Sequence, residues 1–406
     1  MSERFWRMSA LEIAWGWVPG SVSEGVMARS TGDRSREPGF PTTATEAGGQ
    51  REDPLPALEH VLLGHLSRPP CFVAFSGGRD SSLVLAAATR AARRESLPPP
   101  VPITSRYPHV AETDESAWQE QVIRQLHLPD WIKLTAGPEL DLLGPIAQSS
   151  LRTHGLVWPP TIHTARPRFE ATRGGSLLTG NGGDEVFGPQ RSAPLAALRA
   201  GRRQRRVWKA ALTAVAPRTI LRRRMHNRLA AEQRPWLRPQ ATRALTESLL
   251  HDGLREPLRW DRAVRLVSSR RSWVMGKHNY DVLARQFNVR YVHPVREPRF
   301  VAAVAHRGGP VGFMNRTEAM RVMFSGLLPP GVLERETKAF FEGVAANAYT
   351  RAFIETWDGS GIDSDLVDGE ALRTCWRQSP PPVGTFMLLQ AAWLACDHNA
   401  NHVGSP

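Results

Sequence analysis

Cysteine is scarce: Cys71, Cys375 and Cys396 are the only three in 406 residues. Three scattered thiols supply neither a disulfide framework nor a zinc site, so a reducing, cytoplasmic setting is the expectation. Long apolar runs are also lacking, and nothing approaches the roughly 18 to 20 residues needed to cross a bilayer. Arg4 and Arg7 stand near the N-terminus, but the apolar stretch after them is short and broken by Glu12, a poor signal peptide. Glycine and proline, 33 of each, stay below the level of a low-complexity chain. Acidic residues are the minority: 52 Lys and Arg face 39 Asp and Glu, a formal charge of +13. That excess leaves three partners open, namely nucleic acid, an acidic peptide or protein, and a phosphate-rich small molecule.

What remains is a globular composition, 41% hydrophobic, with length for two or three domains. Residues Thr31 to Pro54 are rich in Gly, Pro, Thr and charge and read as a flexible linker. Before them, Phe5, Trp6, Trp15 and Trp17 are expected either to pack on the body or to bind a partner. After them a helical pattern (Leu58, Val61, Leu62, Leu66) leads to a first strand at Cys71 to Phe75. Further strands are expected at VPITSR, WIKLTA and SLLTG (Ser176 to Gly180), each separated by helical segments. Alternation of this kind predicts an α/β fold, a parallel sheet flanked by helices, with the ligand outside the carboxyl ends of the strands. Beyond Gly188 the pattern turns mainly helical. Arg199, Arg202, Arg203, Arg205, Arg206, Lys209, Arg218, Arg222, Arg223 and Arg224 fall within about 26 residues there. The expected division is therefore an N-terminal segment and linker (1–55), an α/β domain (56–190) and a helical, basic region (191–406). The arginine run reads either as solvated helix faces or as a surface for an anionic partner.

Two glycine-rich loops carry the chemistry. Ser76-Gly77-Gly78-Arg79-Asp80-Ser81-Ser82 joins a strand to a helix. Its glycines allow a tight turn, and its hydroxyls and first helical amides form an oxyanion cradle. Neither a Walker A lysine nor a GxGxxG pattern is present. Asp80 inside such a cradle implies Mg2+ between it and the phosphates. The second loop, Gly180-Asn181-Gly182-Gly183-Asp184, also follows a strand and delivers a second carboxylate, Asp184, to the same sheet edge.

SGGRDSS followed by TGNGGDEVFG resembles the synthetase half of the asparagine synthetase family, a branch of the PP-loop ATP pyrophosphatases with an adenine nucleotide alpha hydrolase-like fold. DESAWQEQVIRQLHL, VHPVREPRFVAAVAH and LLPPGVLERETKAFFEG are similar to that family's acidic helix, "PFLD" segment and lysine segment. Within the family, Leu388-Leu389-Gln390-Ala391-Ala392-Trp393-Leu394 resembles the ending of lasso peptide cyclases. The resemblance implies that Ser76, Gly77, Gly78, Asp80, Ser81 and Ser82 hold the pyrophosphate end of ATP. It places Val73, Ala74, Phe75, Gly180 and Asn181 near the nucleotide, has Asp80 and Asp184 bind Mg2+, and gives Lys338 the role of catalytic cation. A substrate carboxylate would attack the α-phosphate, and an amine would displace AMP from the acyl-adenylate. For a lasso-type cyclase these are an Asp or Glu side chain and the N-terminal amine of one precursor peptide. A leader-binding protein and a leader protease are the implied partners.

The chain departs from the family in several places. Residue 2 is Ser2 and about 55 residues precede the synthetase region, so glutaminase chemistry is not expected. Asn181 stands where asparagine synthetases carry Glu, and Arg79 replaces an aliphatic residue in the cradle. Aligning Pro294 puts Arg290 where an acid is expected, leaving no visible general base. An amide ligase for a small molecule, a tRNA-modifying PP-loop enzyme and a catalytically weak peptide binder are the alternatives, with nucleic acid second to a peptide.

Overall fold

The computed structural model describes residues 4–22, 52–232, 234–335 and 342–403. Most of the expected linker at Thr31 to Pro54, and Lys338 with its neighbours 336–341, lie outside the described residues. Five strands, β1 (Cys71–Ala74), β2 (Val101–Arg106), β3 (Ile132–Thr135), β4 (Ser176–Thr179) and β5 (Arg290–Val292), form one sheet in the order β3-β2-β1-β4-β5. Every pairing is parallel. The first four lie where the alternation of apolar runs and helical segments places them.

The fifth strand was not expected. Arg290–Val292 is three residues long and starts with an arginine, too short and too polar at its edge to read as a strand. It pairs with β4 at Ser176 and Leu177, and Arg290 donates to Ser176 Oγ at 2.9 Å and to the Arg68 carbonyl at 3.1 Å. Arg290 is thus a structural residue of the sheet edge, and the sheet draws on chain from beyond residue 190.

Both faces of the sheet are covered, as a parallel sheet requires. On one face the helices Pro54–Leu66, Arg79–Arg94 and Pro298–Gly308 bury Leu58, Leu62, Leu83, Ala87, Phe300 and Val304 in a core that also takes in Phe187 and Phe324. On the other, Phe169, Leu283 and Ala284 pack with Ile103 and Leu177. A further cluster joins Trp15 to Trp236, Leu245 and Leu389. The N-terminal aromatic segment therefore packs on the body. Trp15 Nε1 donates to the Ala241 carbonyl at 3.0 Å, Trp236 Nε1 to the Ala14 carbonyl at 3.0 Å, and Glu12 pairs with Arg271. The closing helix, Phe386–Val403, is anchored by Gln390, whose amide donates to the Pro160 carbonyl at 2.9 Å. Among the described residues no helix is long and apolar enough to cross a membrane.

The strand order reverses beside β1: the chain steps outward through β2 and β3, then returns to β4 on the opposite side. A crevice opens at that switch point, outside the carboxyl ends of β1 and β4.

Candidate active site

A cavity of about 520 Å³ occupies the crevice. Ala74, Phe75, Ser76, Gly78, Asp80, Ser81, Gly180, Asn181 and Asp184, all expected from the sequence, line it. Val73, Gly77 and Ser82 do not: Val73 and Ser82 are fully buried behind the wall. Gly77 shapes the turn from behind, with φ +84°, and a Cβ there would meet Gln119 Cγ at 2.9 Å.

The first loop is held by its own serines. Ser76 N donates to Ser81 Oγ at 3.2 Å, Gly78 N to Ser76 Oγ at 3.3 Å, and Ser81 Oγ to the Gly78 carbonyl at 3.0 Å. Gln119, from the helix Ser116–Gln125, donates to the Ser76 carbonyl at 3.1 Å. The helix Arg79–Arg94 starts directly after this turn, so its amide end and positive dipole face the cavity. The second loop is fixed by Thr179, whose hydroxyl accepts from Asn181 N at 3.2 Å and lies 2.7 Å from His293 Nδ1. The Asn181 side chain donates to Tyr291 Oη at 3.4 Å. Gly180 lies against the first loop: a Cβ on it would fall 2.5 Å from Ser81 N.

The two carboxylates converge on one cation. Arg316 pairs with both Asp80 and Asp184. Its place is set by a cap: Asn315 Oδ1 accepts from Glu318 N at 2.9 Å, starting the helix Arg316–Phe324 at Arg316 itself. A cation in a first helical turn opposes the helix dipole. Here two acidic side chains outweigh that. Burial pushes the Asp80 carboxyl above its ordinary pKa, and the charge and hydrogen bond of Arg316 act against the shift. Arg79 is half-buried, donates to Thr317 Oγ1 at 2.9 Å, and is pulled below its ordinary value, by burial first and by Arg316 second.

Arg335 forms a second, deeper ion pair. It engages both oxygens of Glu115 and reaches the Gly77 carbonyl at 3.4 Å. Both partners are buried and both line the cavity. Glu115 and Arg335 fall in the two segments read as acidic helix and lysine segment, yet the motifs gave no sign that they would pair. Arg316 lay in no motif at all, and an Asn-x-x-Glu cap announces a helix start and nothing of a site. Tyr107, Arg168 and Tyr291 complete the opposite wall. Tyr291 is held neutral by burial.

Does this donor set suit magnesium? Mg2+ is commonly bound by one or two carboxylates while substrate phosphates and water supply the other ligands. Asp80 and Asp184 match that pattern beside an oxyanion cradle. They already share one cation in Arg316, so they are arranged to hold positive charge between them. Among the described residues no group of three or more His, Cys, Asp or Glu side chains forms a complete metal cage.

Comparison with known proteins follows the same lines. The family model described as asparagine synthase matches residues 58–394. No curated protein matches the chain.

Proposed function

We propose that this chain, which belongs to the asparagine synthase family, adenylates an Asp or Glu side chain of a peptide and joins it to the peptide's N-terminal amine. Family membership over most of the chain makes the protein an ATP-dependent, AMP-forming amide ligase. The peptide substrate and the macrolactam product are our reading. Supporting it are the resemblance of residues 388–394 to lasso peptide cyclases and the neutral amide and phenol, Asn181 and Tyr291, that stand together at the cavity wall.

The observation that carries the chemistry is the convergence of Asp80 and Asp184 at the β1/β4 switch point. In our reading the first loop and the start of Arg79–Arg94 receive the β- and γ-phosphates through hydroxyls and backbone amides. Asp80 and Asp184 would hold Mg2+, which when bound neutralises the leaving pyrophosphate. Ala74, Phe75 and Gly180 would frame the adenosine, with Val73 backing them from behind the wall. A carboxylate is a poor electrophile until one oxygen becomes a good leaving group. Attack by the substrate carboxylate on the α-phosphate makes the acyl-adenylate and releases pyrophosphate; the amine then attacks the acyl carbon and AMP departs. Negative charge grows on the α-phosphate in the first step, and a fixed cation there lowers the barrier. Lys338 is assigned that role. Its flanks support the assignment: Arg335 lines the cavity, and Gly343 sits beside Val110, close to the loop that carries Thr113.

The test is ATP–pyrophosphate exchange by the purified protein with a panel of peptides carrying internal Asp or Glu, read together with mass spectrometry. Peptide-dependent exchange and loss of one water from the peptide are expected. Exchange driven only by small carboxylic acids, or none with any peptide, would overturn the reading.

A further inference from the structure

The basic excess of this protein has a single address. Residues 186–231 hold twelve Lys and Arg and no Asp or Glu, while the rest of the chain holds 40 basic and 39 acidic residues. The +13 charge is therefore almost entirely a property of these 46 residues. They fold as the short helix Ala193–Arg199 followed by two more, Arg205–Ala214 and Arg218–Ala231. Of the twelve cations only Arg228 has a carboxylate within 4.0 Å among the described residues, Glu232 at 3.3 Å. Solvated arginines at such density repel one another, and among the described residues only the Arg228–Glu232 ion pair offsets it.

The same helices leave apolar side chains outside. Trp208, Leu212 and Val215 recur at intervals of four and three, so they form one stripe along Arg205–Ala214 and its cap. They are 51%, 66% and 51% exposed, and Ile220 on the next helix is 46% exposed. The inner side of the same helix buries only Ala211 and Ala214. An apolar stripe bordered by unpaired cations marks an interaction surface.

We infer that this helical pair docks an acidic, amphipathic segment of the peptide substrate, outside its reacting residues; the inference rests on the peptide reading above. Charge complementarity selects an anionic occupant. The aliphatic stripe then distinguishes among anions: Leu212, Val215 and Ile220 offer nothing to a phosphodiester backbone, and only Trp208 could stack on a base. A peptide carrying Leu or Phe among Asp and Glu satisfies both features. Position argues the same way. Arg199 Nη2 donates to the Gly312 carbonyl at 2.9 Å, four residues before Arg316, so the root of the surface adjoins the element that brings Arg316 to the cavity. Through Arg199 the basic helices are tied to the stretch of chain that carries a cavity-lining cation, Arg316.

The experiment uses the full chain and two variants, Arg222→Glu/Arg223→Glu and Trp208→Ser/Leu212→Ser, all exposed positions. The probe is a fluorescein-labelled 18-residue peptide of Leu, Glu and Asp with leucines three and four apart. Anisotropy should show binding to the unmodified protein that weakens tenfold or more in each variant. Binding of a fluorescent ATP analogue should be unchanged. Equal peptide affinity in either variant overturns the inference, as does tighter binding of a single-stranded RNA or of phosphatidylglycerol vesicles than of the peptide. Peptide adenylation with an unaltered peptide KM in both variants removes the docking surface and leaves the ligase reading standing. Peptide binding that depends on the surface, without adenylation, does the reverse.

Discussion

Gly183 and Asp80 approach so closely that a methyl group on Gly183 would overlap the Asp80 carboxyl. This contact joins the two glycine loops and fixes where both carboxylates stand. Gly183→Ala is expected to displace Asp80 at a cost of about 1–3 kcal/mol. ATP–pyrophosphate exchange should fall tenfold or more while far-ultraviolet circular dichroism stays unchanged. Full exchange activity in this variant would mean that the position of Asp80 is not critical.

Asp80→Asn removes the buried charge and keeps the shape. If Asp80 helps neutralise the departing pyrophosphate, turnover should drop by about a hundredfold or more. Single-turnover AMP formation is the measurement. Near-normal turnover would remove Asp80 from the chemistry.

Arg316→Gln leaves the Asp80 carboxylate buried without its cation. Breaking such a pair costs about 3 kcal/mol. In the absence of divalent metal the melting temperature should fall, and Mg2+ should restore it more in the variant than in the unmodified protein, because Arg316 no longer competes with it for the carboxylates. Thermal melts with and without MgCl2 decide the matter. A variant that melts lower and does not respond to Mg2+ would argue against metal at this pair.

His293 gives a pH dependence. Burial holds its imidazole down to about 3, from 6.5 when solvated. Above pH 6.5 neither the folded nor the unfolded chain is charged there. Below it the unfolded chain gains a proton that the folded chain refuses, so stability falls as pH drops and levels off near pH 3. The loss is roughly 2 kcal/mol at pH 5. His65, His154 and His163 are also lowered by burial, so urea unfolding at pH 7.5 and pH 5 should show a loss in both proteins that is smaller in His293→Asn by about 2 kcal/mol.

Trp15 tests the N-terminal segment. It is 5% exposed and hydrogen-bonded across 226 residues to Ala241. Trp15→Ala should cost about 3–5 kcal/mol. A variant as stable as the unmodified protein in urea would show that the Trp15 side chain contributes nothing to the fold.

The parts of this molecule that were legible in the sequence are those whose signal is local. Strands β1 to β4 are apolar runs, and the two loops announce themselves through glycines placed directly after strands. What escaped depends on distant chain. β5 is recognisable only against β4, more than a hundred residues earlier. Arg316 reaches Asp80 across 236 positions, and nothing in Asn315-Arg316-Thr317-Glu318 distinguishes it from any capped helix start. Arg335 and Glu115 lie in segments whose likeness to known motifs was visible, but their pairing across 220 residues is a fact of folding.

Two buried carboxylates bracket residues 336–341. On one side Glu115 grips Arg335; on the other Asp141 accepts from Asn347 N at 2.6 Å and binds Thr350, and Leu142 N donates to the Ala345 carbonyl at 2.8 Å. Glu115 and Asp141 belong to the same α/β part of the chain. The described chain is thus tied to that part at Arg335, at Ala345 and at Asn347, so the anchorage on either side comes from distant buried acids and not from the local sequence.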